Sequence, residues 1–259
     1  MVFTETAISA WLASFLWPLM RIGSVFVAAP IFASRQVPAR WRALLALMVT
    51  WIVMPVLPPS PVVSTFSHEA VMIALQQIAI GVSMGFILQM VFAALVFGGQ
   101  TMAYSMGLGF ASMVDPQNGV QVPVVSQFYL ILATLTFLAL NGHLILIEIV
   151  IDSFTTLPVA VDGLTRNTLW DIASWGGRIF AAGLLMALPV VTALLLVNLG
   201  LGIVARAAPQ LNIFAVGFPM AMLIGFILMW VTLPDVLNNF GELVNEGFQL
   251  IMANLRVVR

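Results

Sequence analysis

The chain has 259 residues, of which 62% are hydrophobic and 7% are charged, and its formal net charge is −1. A soluble domain carries about 25% charged residues, so this composition indicates an integral membrane protein. The sequence has no cysteine, and all nine basic residues are arginine. Disulfides, cysteine-based metal sites and lysine-dependent phosphate loops are therefore excluded, and no basic patch favours nucleic acid.

Apolar stretches long enough to cross a bilayer, which takes ~20 residues each, predict an all-α membrane protein with about six long, kinked helices. In chain order these segments run over about 8–32, 41–57, 69–97, 124–151, 172–204 and 213–233. The first is too long for a cleaved signal peptide, so we expect a retained helix. From Asp235 onward, apolar residues recur at helical spacing and predict an amphipathic helix lying on a surface or a partner.

A polar linker over about 152–170 divides the chain. It separates a four-segment N-terminal part from a two-helix C-terminal part, so we predict parts at 1–160, 161–233 and 234–259. No repeat at a fixed period indicates a solenoid.

Arg21 lies inside the first apolar segment. A charge that faced lipid would cost about 2.5–3.5 kcal/mol on insertion scales, so Arg21 is expected to face protein or water. It is either a charge lining a pore or a structural link between helices. Gly81 and Gly85, in the third segment, form a pair of small residues that lets helices approach closely.

The segment 98–123, GGQTMAYSMGLGFASMVDPQNGVQVP, interrupts the apolar pattern. Large residues alternate there with small ones: Met102, Tyr104, Met106, Leu108 and Phe110 against Ala103, Ser105, Gly107, Gly109 and Ala111. This period of two predicts backbone that is not helical. Such backbone survives at membrane depth only when it is buried in protein or lines a cavity.

Two interpretations of this break stay open. One is an ordinary exposed loop. The other is an apolar, adjustable constriction in a pore, in which Met102, Met106 and Met113 surround Phe110 as a deformable seal.

The fourth segment carries Asn141, Glu148 and Asp152, spaced by seven and four residues, with His143 close by. On one helix face these groups could form a proton relay, although the two acids could equally reach the membrane interface. A single nearby histidine does not make a metal site, which normally needs three or four ligands.

The fifth and sixth segments read as a kinked helical hairpin with a polar tip. Pro189 removes a backbone hydrogen bond and should bend its helix. Arg206, Pro209 and Gln210 form the tip, which we interpret as a packing unit. No nucleophile and base pair is recognisable, since Ser105 lacks the setting of a hydrolase serine. No enzyme activity, cofactor or metal is therefore expected.

Together these motifs resemble the FliR family of flagellar export-gate proteins, whose injectisome counterpart is called SctT. The resemblance covers nearly the whole chain. It rests on the runs FLWPLMR (15–21), QQI (76–78), MGLGFASMVDP (106–116), NGHL (141–144), RAAPQL (206–211) and GFP (217–219).

The resemblance implies a subunit of a helical hetero-oligomer with FliP and FliQ, through which unfolded flagellar subunits leave the cytoplasm. It further implies a place in the bacterial inner membrane at the flagellar basal body, contact with FlhB and FlhA, and a FliP-like part followed by a FliQ-like hairpin. The loop at Met106–Phe110 corresponds to the family's pore plug. One departure is Gln100, where many members carry glutamate, so a role for negative charge there is in doubt.

The alternative function is a secondary transporter for a small solute, with broken helices near the membrane midplane. Such transporters usually have two hydropathy halves that mirror each other, whereas this chain divides into four segments and two. A third possibility, an intramembrane hydrolase, fails because the sequence offers no nucleophile with a base.

Overall fold

The computed structural model describes residues 5–34, 37–63, 67–109, 124–208 and 213–255. Within these residues the chain is helical apart from turns and connecting segments, and it contains no β-strand. Five helical stretches are long and apolar enough to cross a membrane, or six if one bent pair counts as a span. The predicted all-α membrane fold is therefore confirmed.

Three helices form the first part of the chain. They are α1 (Glu5–Ala28), α2 (Ala39–Val53), which ends in a short 3-10 turn (Met54–Val56), and α3 (His68–Ser105). The third apolar segment is predicted to end at Phe97 and to be followed by non-helical backbone. This prediction is wrong for residues 98–105, which continue α3. The buried residues there recur at helical spacing: Ala94, Leu95, Gly98, Gly99, Met102 and Ala103. The alternation of large and small residues therefore reflects close helix packing.

The predicted fourth segment is two helices, α4 (Val124–Ala139) and α5 (Gly142–Thr156), bent by 63° at the break between them. Asn141 causes the break, because its φ of 56° is left-handed and cannot continue a helix. Its carbonyl oxygen accepts hydrogen bonds from the backbone N–H groups of Leu144 and Ile145, which start the new helix.

The C-terminal part has three helices, α6 (Arg166–Trp175), α7 (Gly177–Ala207) and α8 (Ile213–Asn254). The predicted linker is shorter than expected, since only residues 157–165 are non-helical. The predicted sixth segment and C-terminal tail are one helix of 42 residues, with Pro219 and Pro234 inside it. The apolar positions stay in helical register past Pro234: Val236, Phe240, Val244, Phe248 and Ile251 are all buried.

The chain folds into two compact units that do not follow chain order. The first comprises residues 1–90, 141–175 and 244–259, and the second comprises 91–140 and 176–243. The division at 1–160, 161–233 and 234–259 stays a prediction.

The first unit is built on a close contact of α1 with α3. A carbon added at Gly81 would overlap the hydroxyl of Ser24 and the carbonyl oxygen of Arg21. One added at Gly85 would overlap Ala28. The core beside this contact contains Ala13, Trp17, Ala70 and Ile73.

The second unit is built around the C-terminal half of α3. Gly98 lies against the backbone of Gly183 on α7, and Gly99 lies against Ser126 and Tyr129 on α4. Earlier on α3, the ring of Phe92 packs on Phe137 of α4 and Phe240 of α8, with centroids 5.7 and 5.4 Å apart.

Candidate functional site

Helix α3 ends in a turn that requires a residue with positive φ. The N–H of Gly107 donates to the carbonyl oxygen of Tyr104, and the N–H of Leu108 donates to that of Ala103, both at 3.0 Å. This pair of bonds is a Schellman motif, which needs a residue with positive φ after the helix. Gly107 supplies it with φ 83°.

Met106 fills a notch in α8 beside this turn. Its side chain is fully buried, at 0% exposure. A carbon added at Gly225 would lie 2.6 Å from Cγ, 2.8 Å from Cε and 3.0 Å from the sulfur of Met106. The thioether therefore occupies the space that a side chain at position 225 would take.

The ring of Phe218, also on α8, covers the next residue of the turn. A carbon added at Gly107 would lie 2.7 Å from Cε2 and 3.0 Å from Cδ2 of Phe218. On the other side, the side-chain amide of Asn198 on α7 donates to the carbonyl oxygen of Ser105 at 3.4 Å. Two helices therefore hold the last residues of α3 and the turn that follows.

The residues predicted to form a seal are partly brought together here. Met102 lies on α3 itself rather than in a loop, 1% exposed and one helical turn before Met106. Met106, Gly107 and Leu108 form the turn, and Gly109 follows it against the ring of Tyr104. Phe110 and Met113 lie outside the described residues.

Arg21 is at the centre of a polar cluster in the first unit, with no exposed surface. Its Nε donates to Oε1 of Gln77 at 2.8 Å, and Nη1 donates to both oxygens of Ser153 at 2.9 and 3.0 Å. Nη2 donates to the carbonyl oxygen of Leu157 at 2.9 Å, and the guanidinium lies 4.2 Å from the ring centroid of Phe154. Each of these partners is uncharged.

The backbone acceptors of Arg21 lie at the C-terminal end of α5, which ends at Thr156. The carbonyl groups of a helix's last turn lack partners inside the helix and carry partial negative charge, so a cation is stabilised there. Arg21 therefore connects α1, α3 and the end of α5. The neighbouring Gln76 extends this link, because its Oε1 accepts from the N–H of Leu164 at 3.2 Å.

The residues of the predicted hairpin are less closely associated. Pro189 lies inside α7, where Thr192 Oγ1 donates to the carbonyl oxygens of Leu188 and Pro189 at 2.8 and 3.2 Å. Arg206 is exposed in the last turn of α7, where a positive charge suits the helix dipole. Pro209 and Gln210 lie outside the described residues.

The predicted relay face is not formed as expected. Asn141 precedes α5 in a left-handed conformation, so it does not share a helix face with Glu148 and Asp152. Among the residues that the structure describes, no group of three or more histidine, cysteine or acidic residues could hold a metal ion.

Sequence reasoning missed Gly225, Ser153 and Phe154. For Gly225 a signal existed, because a glycine inside an apolar helix costs about 1 kcal/mol relative to alanine and calls for a packing reason. For Ser153 and Phe154 there was none, since both look like ordinary residues near the end of a helix.

Comparison with known proteins adds the family. A profile described as "Bacterial export proteins, family 1" matches residues 12–247. The flagellar biosynthetic protein FliR of Escherichia coli K12 is 40% identical over 242 residues, 93% of this chain and 92% of the relative. FliR of Pectobacterium carotovorum is 39% identical over 93% of this chain and 92% of the relative. For FliR of Bacillus subtilis the identity is 33%, over 93% of this chain and 95% of the relative.

The profile match extends over parts of both units, including the Arg21 cluster and the turn after α3. With its five or six apolar spans, this is a multi-pass membrane protein of flagellar biosynthesis. The chain belongs to the FliR family of bacterial export proteins.

Proposed function

We propose that this chain is a core, non-enzymatic subunit of the flagellar protein export gate in the bacterial inner membrane. It forms a hetero-oligomer with FliP and FliQ, contacts FlhB and FlhA, and passes unfolded flagellar subunits. Residues 1–160 take the place of a FliP-like part and residues 161–233 that of a FliQ-like hairpin. Membership of the family supports this proposal.

The observation that carries the gate function is the turn at the end of α3. A long apolar helix that carries Met102 in its last turn stops at a glycine turn that carries Met106 and Leu108, so these side chains are sulfur-containing or aliphatic. An apolar constriction excludes water and ions without a charged filter, and a methionine can move aside without breaking hydrogen bonds. We propose that Met102, Met106–Phe110 and Met113 form this seal.

The apolar surface of the chain supports an assembly. Helix α2 buries only Ala46, Thr50 and Val53 within this chain. Many large apolar side chains elsewhere are also exposed, with Leu196 of α7 at 72% and Trp230 of α8 at 79%. Patches of this kind mark contact with protein or lipid. Arg206, Pro209 and Gln210 are proposed to contact other subunits.

The first test is affinity purification of the tagged protein in mild detergent, followed by native mass spectrometry. One copy of this chain with several FliP-like and FliQ-like chains is the expected result. A stable monomer or homodimer without these partners would contradict the proposal and favour a small-solute transporter.

The second test addresses the seal. Deletion of residues 106–110 should let ions and small solutes cross the inner membrane, measured as dye or ion flux per amount of assembled complex. Unchanged permeability in an intact complex would contradict the proposed seal and leave the subunit role in place.

A further inference from the structure

At Gly225, the side chain of Met106 occupies the space that a side chain of residue 225 would take. Gly225 lies inside α8 and is buried, and three atoms of the Met106 thioether lie within 3.0 Å of the place where its β-carbon would be. Because glycine weakens a helix interior, its presence here needs a packing reason. The contact with Met106 provides that reason.

Phe218 lies seven residues before Gly225, so both are on one face of α8. This face therefore meets two consecutive residues of the turn: Phe218 covers Gly107, and Gly225 receives Met106. All four residues belong to the second unit. The face holds both the conformation of the turn and the side chain beside it.

The two contacts differ in how they can be released. Methionine is unbranched, and its terminal atoms can withdraw by side-chain rotation alone. The ring of Phe218 lies against the backbone of Gly107, whose φ of 83° the Schellman motif maintains. Withdrawal of Met106 is therefore the easier first movement of the turn.

We propose that Gly225 and Phe218 are positioning residues of the export gate, forming a receptor that holds the Met106–Gly107 turn closed until the Met106 side chain leaves its notch. This inference rests on the proposed function of the turn as part of a seal. Substrate passage would require Met106 to vacate the notch, and refilling of the notch would close the gate.

The central test is Gly225→Ala, whose added methyl group competes with Met106 for the notch. Overpacking a well-packed core destabilises the closed arrangement of the turn. We therefore expect ion leak per assembled complex to rise about tenfold or more. The matched control is Gly241→Ala on the same helix. Among the described residues, a carbon added there would meet only Leu140 Cδ1, at an ordinary 3.7 Å, so the leak should not change.

A double-mutant cycle distinguishes positioning from general damage to the helix. Met106→Ala empties the notch and should leak by itself, but adding Gly225→Ala to it should change the leak by less than about twofold. An equal rise from Gly225→Ala in both backgrounds, or no rise in either, would overturn the inference. If deletion of residues 106–110 does not leak in an intact complex, the proposed seal fails first.

A second measurement works even if Gly225→Ala assembles poorly. The chain has no native cysteine, so Met106→Cys with Gly225→Cys introduces a single pair of thiols. Oxidation in the assembled gate should form a disulfide, seen by mass spectrometry of alkylated peptides. It should stop export without raising leak, and reduction should restore export. Absence of the disulfide, or normal export with it formed, would overturn the inference.

Discussion

The contact of α1 with α3 in the first unit differs from the contact of α8 with the turn after α3 in the second. Both depend on glycine. At Gly85 an added carbon would meet backbone atoms, 2.7 Å from the carbonyl carbon of Ala28 and from the nitrogen of Ala29. At Gly225 the three nearest atoms would all belong to the Met106 side chain, Cγ, Cε and the sulfur. Backbone cannot yield without moving a helix, whereas a thioether can.

The two regions also differ in polarity. Around Arg21, four hydrogen bonds and a ring contact fix one arrangement of three segments. All three guanidinium nitrogens of Arg21 have acceptors, although the buried Nε2 of Gln77 has no partner among the described residues, and directional bonds of this kind disfavour other packings. The contacts of Met106 and Gly107 with α8 are apolar, so they can slide without leaving a buried polar group unpaired. The comparison indicates a fixed frame in one region and an adjustable element in the other.

Among the substitutions that test this comparison, Arg21→Met is expected to have the largest effect. It leaves Gln77 Oε1 and the carbonyl oxygen of Leu157 without the donor that Arg21 supplies, at about 1–3 kcal/mol for each buried acceptor, whereas the carbonyl oxygen of Ser153 keeps the backbone N–H of Leu157. The amount of assembled complex should fall strongly, measured by immunoblot after native electrophoresis. Arg21→Lys should retain part of it, because lysine keeps the charge but not the planar fork. Arg40→Met, at an exposed position, is the control. Normal assembly of Arg21→Met would show that the cluster is dispensable.

Gly85→Ala should come next. The added methyl group would overlap Ala28, and separating α1 from α3 should cost ~1–3 kcal/mol or more. A thermal-shift measurement on the purified complex checks this. Gly23→Ala on α1 is the matched control, since its methyl carbon would lie 4.0 Å from the side chain of Ala46. If the two variants melt alike, the close approach at Gly85 is not a constraint.

Gly107→Ala should have a smaller effect, confined to the gate. The left-handed conformation costs a residue with a β-carbon roughly 1–2 kcal/mol, and the methyl group would also press on Phe218. Leak should increase while the complex stays intact. Gly107→Asn tests the cost of the left-handed conformation, because asparagine tolerates positive φ better than alanine. Comparing Gly107→Ala with Phe218→Ala against Phe218→Ala alone tests the contact with the ring, because Phe218→Ala removes a positioning residue. An effect of Gly107→Ala that disappears with Phe218→Ala would leave the contact as the sole cause.

Gly200→Ala on α7 should have the smallest effect. Among the described residues, nothing outside its own helix lies within 4 Å of the added carbon, and alanine is favoured over glycine in a helix by about 0.8–1 kcal/mol. The melting temperature of the complex should stay equal or rise slightly. A marked fall would show that another subunit packs its backbone against α7 at this position.

The helical class and most of the spans followed from apolar length alone, but local detail depended on contacts between distant residues. The alternation from Met102 to Ala111 predicted non-helical backbone, whereas α3 continues to Ser105, with Gly98 and Gly99 packed against Gly183 and Tyr129, neighbours that the sequence does not identify. The dipeptide Asn141–Gly142 is a recognisable turn signal. The apolar run on either side nevertheless led to the prediction of one continuous segment.

For the candidate sites, the physical cost of a buried charge was enough to predict that Arg21 faces protein or water. Its partners were not predictable, because three of its four hydrogen bonds go to residues 132 or 136 positions later in the chain. Met106 and Gly107 stood out by composition. Gly225 also carried a signal as a glycine inside an apolar helix, but its partner Met106 and the role of Phe218 depend on the packing of α8, which local pattern does not reveal.

The distance along the chain between Arg21 and Ser153 has a consequence for how the protein is made. Ser153 follows Arg21 by 132 residues. At a synthesis rate of ~5–20 residues per second, Arg21 exists for about 7–26 s before its acceptors at the end of α5 are made, although Gln77 precedes them. Throughout that time the first helix carries a cation without most of its final partners, so it must wait where water, lipid headgroups or the insertion machinery can solvate it. Completion of α5 is therefore the event that lets α1 settle into its final position.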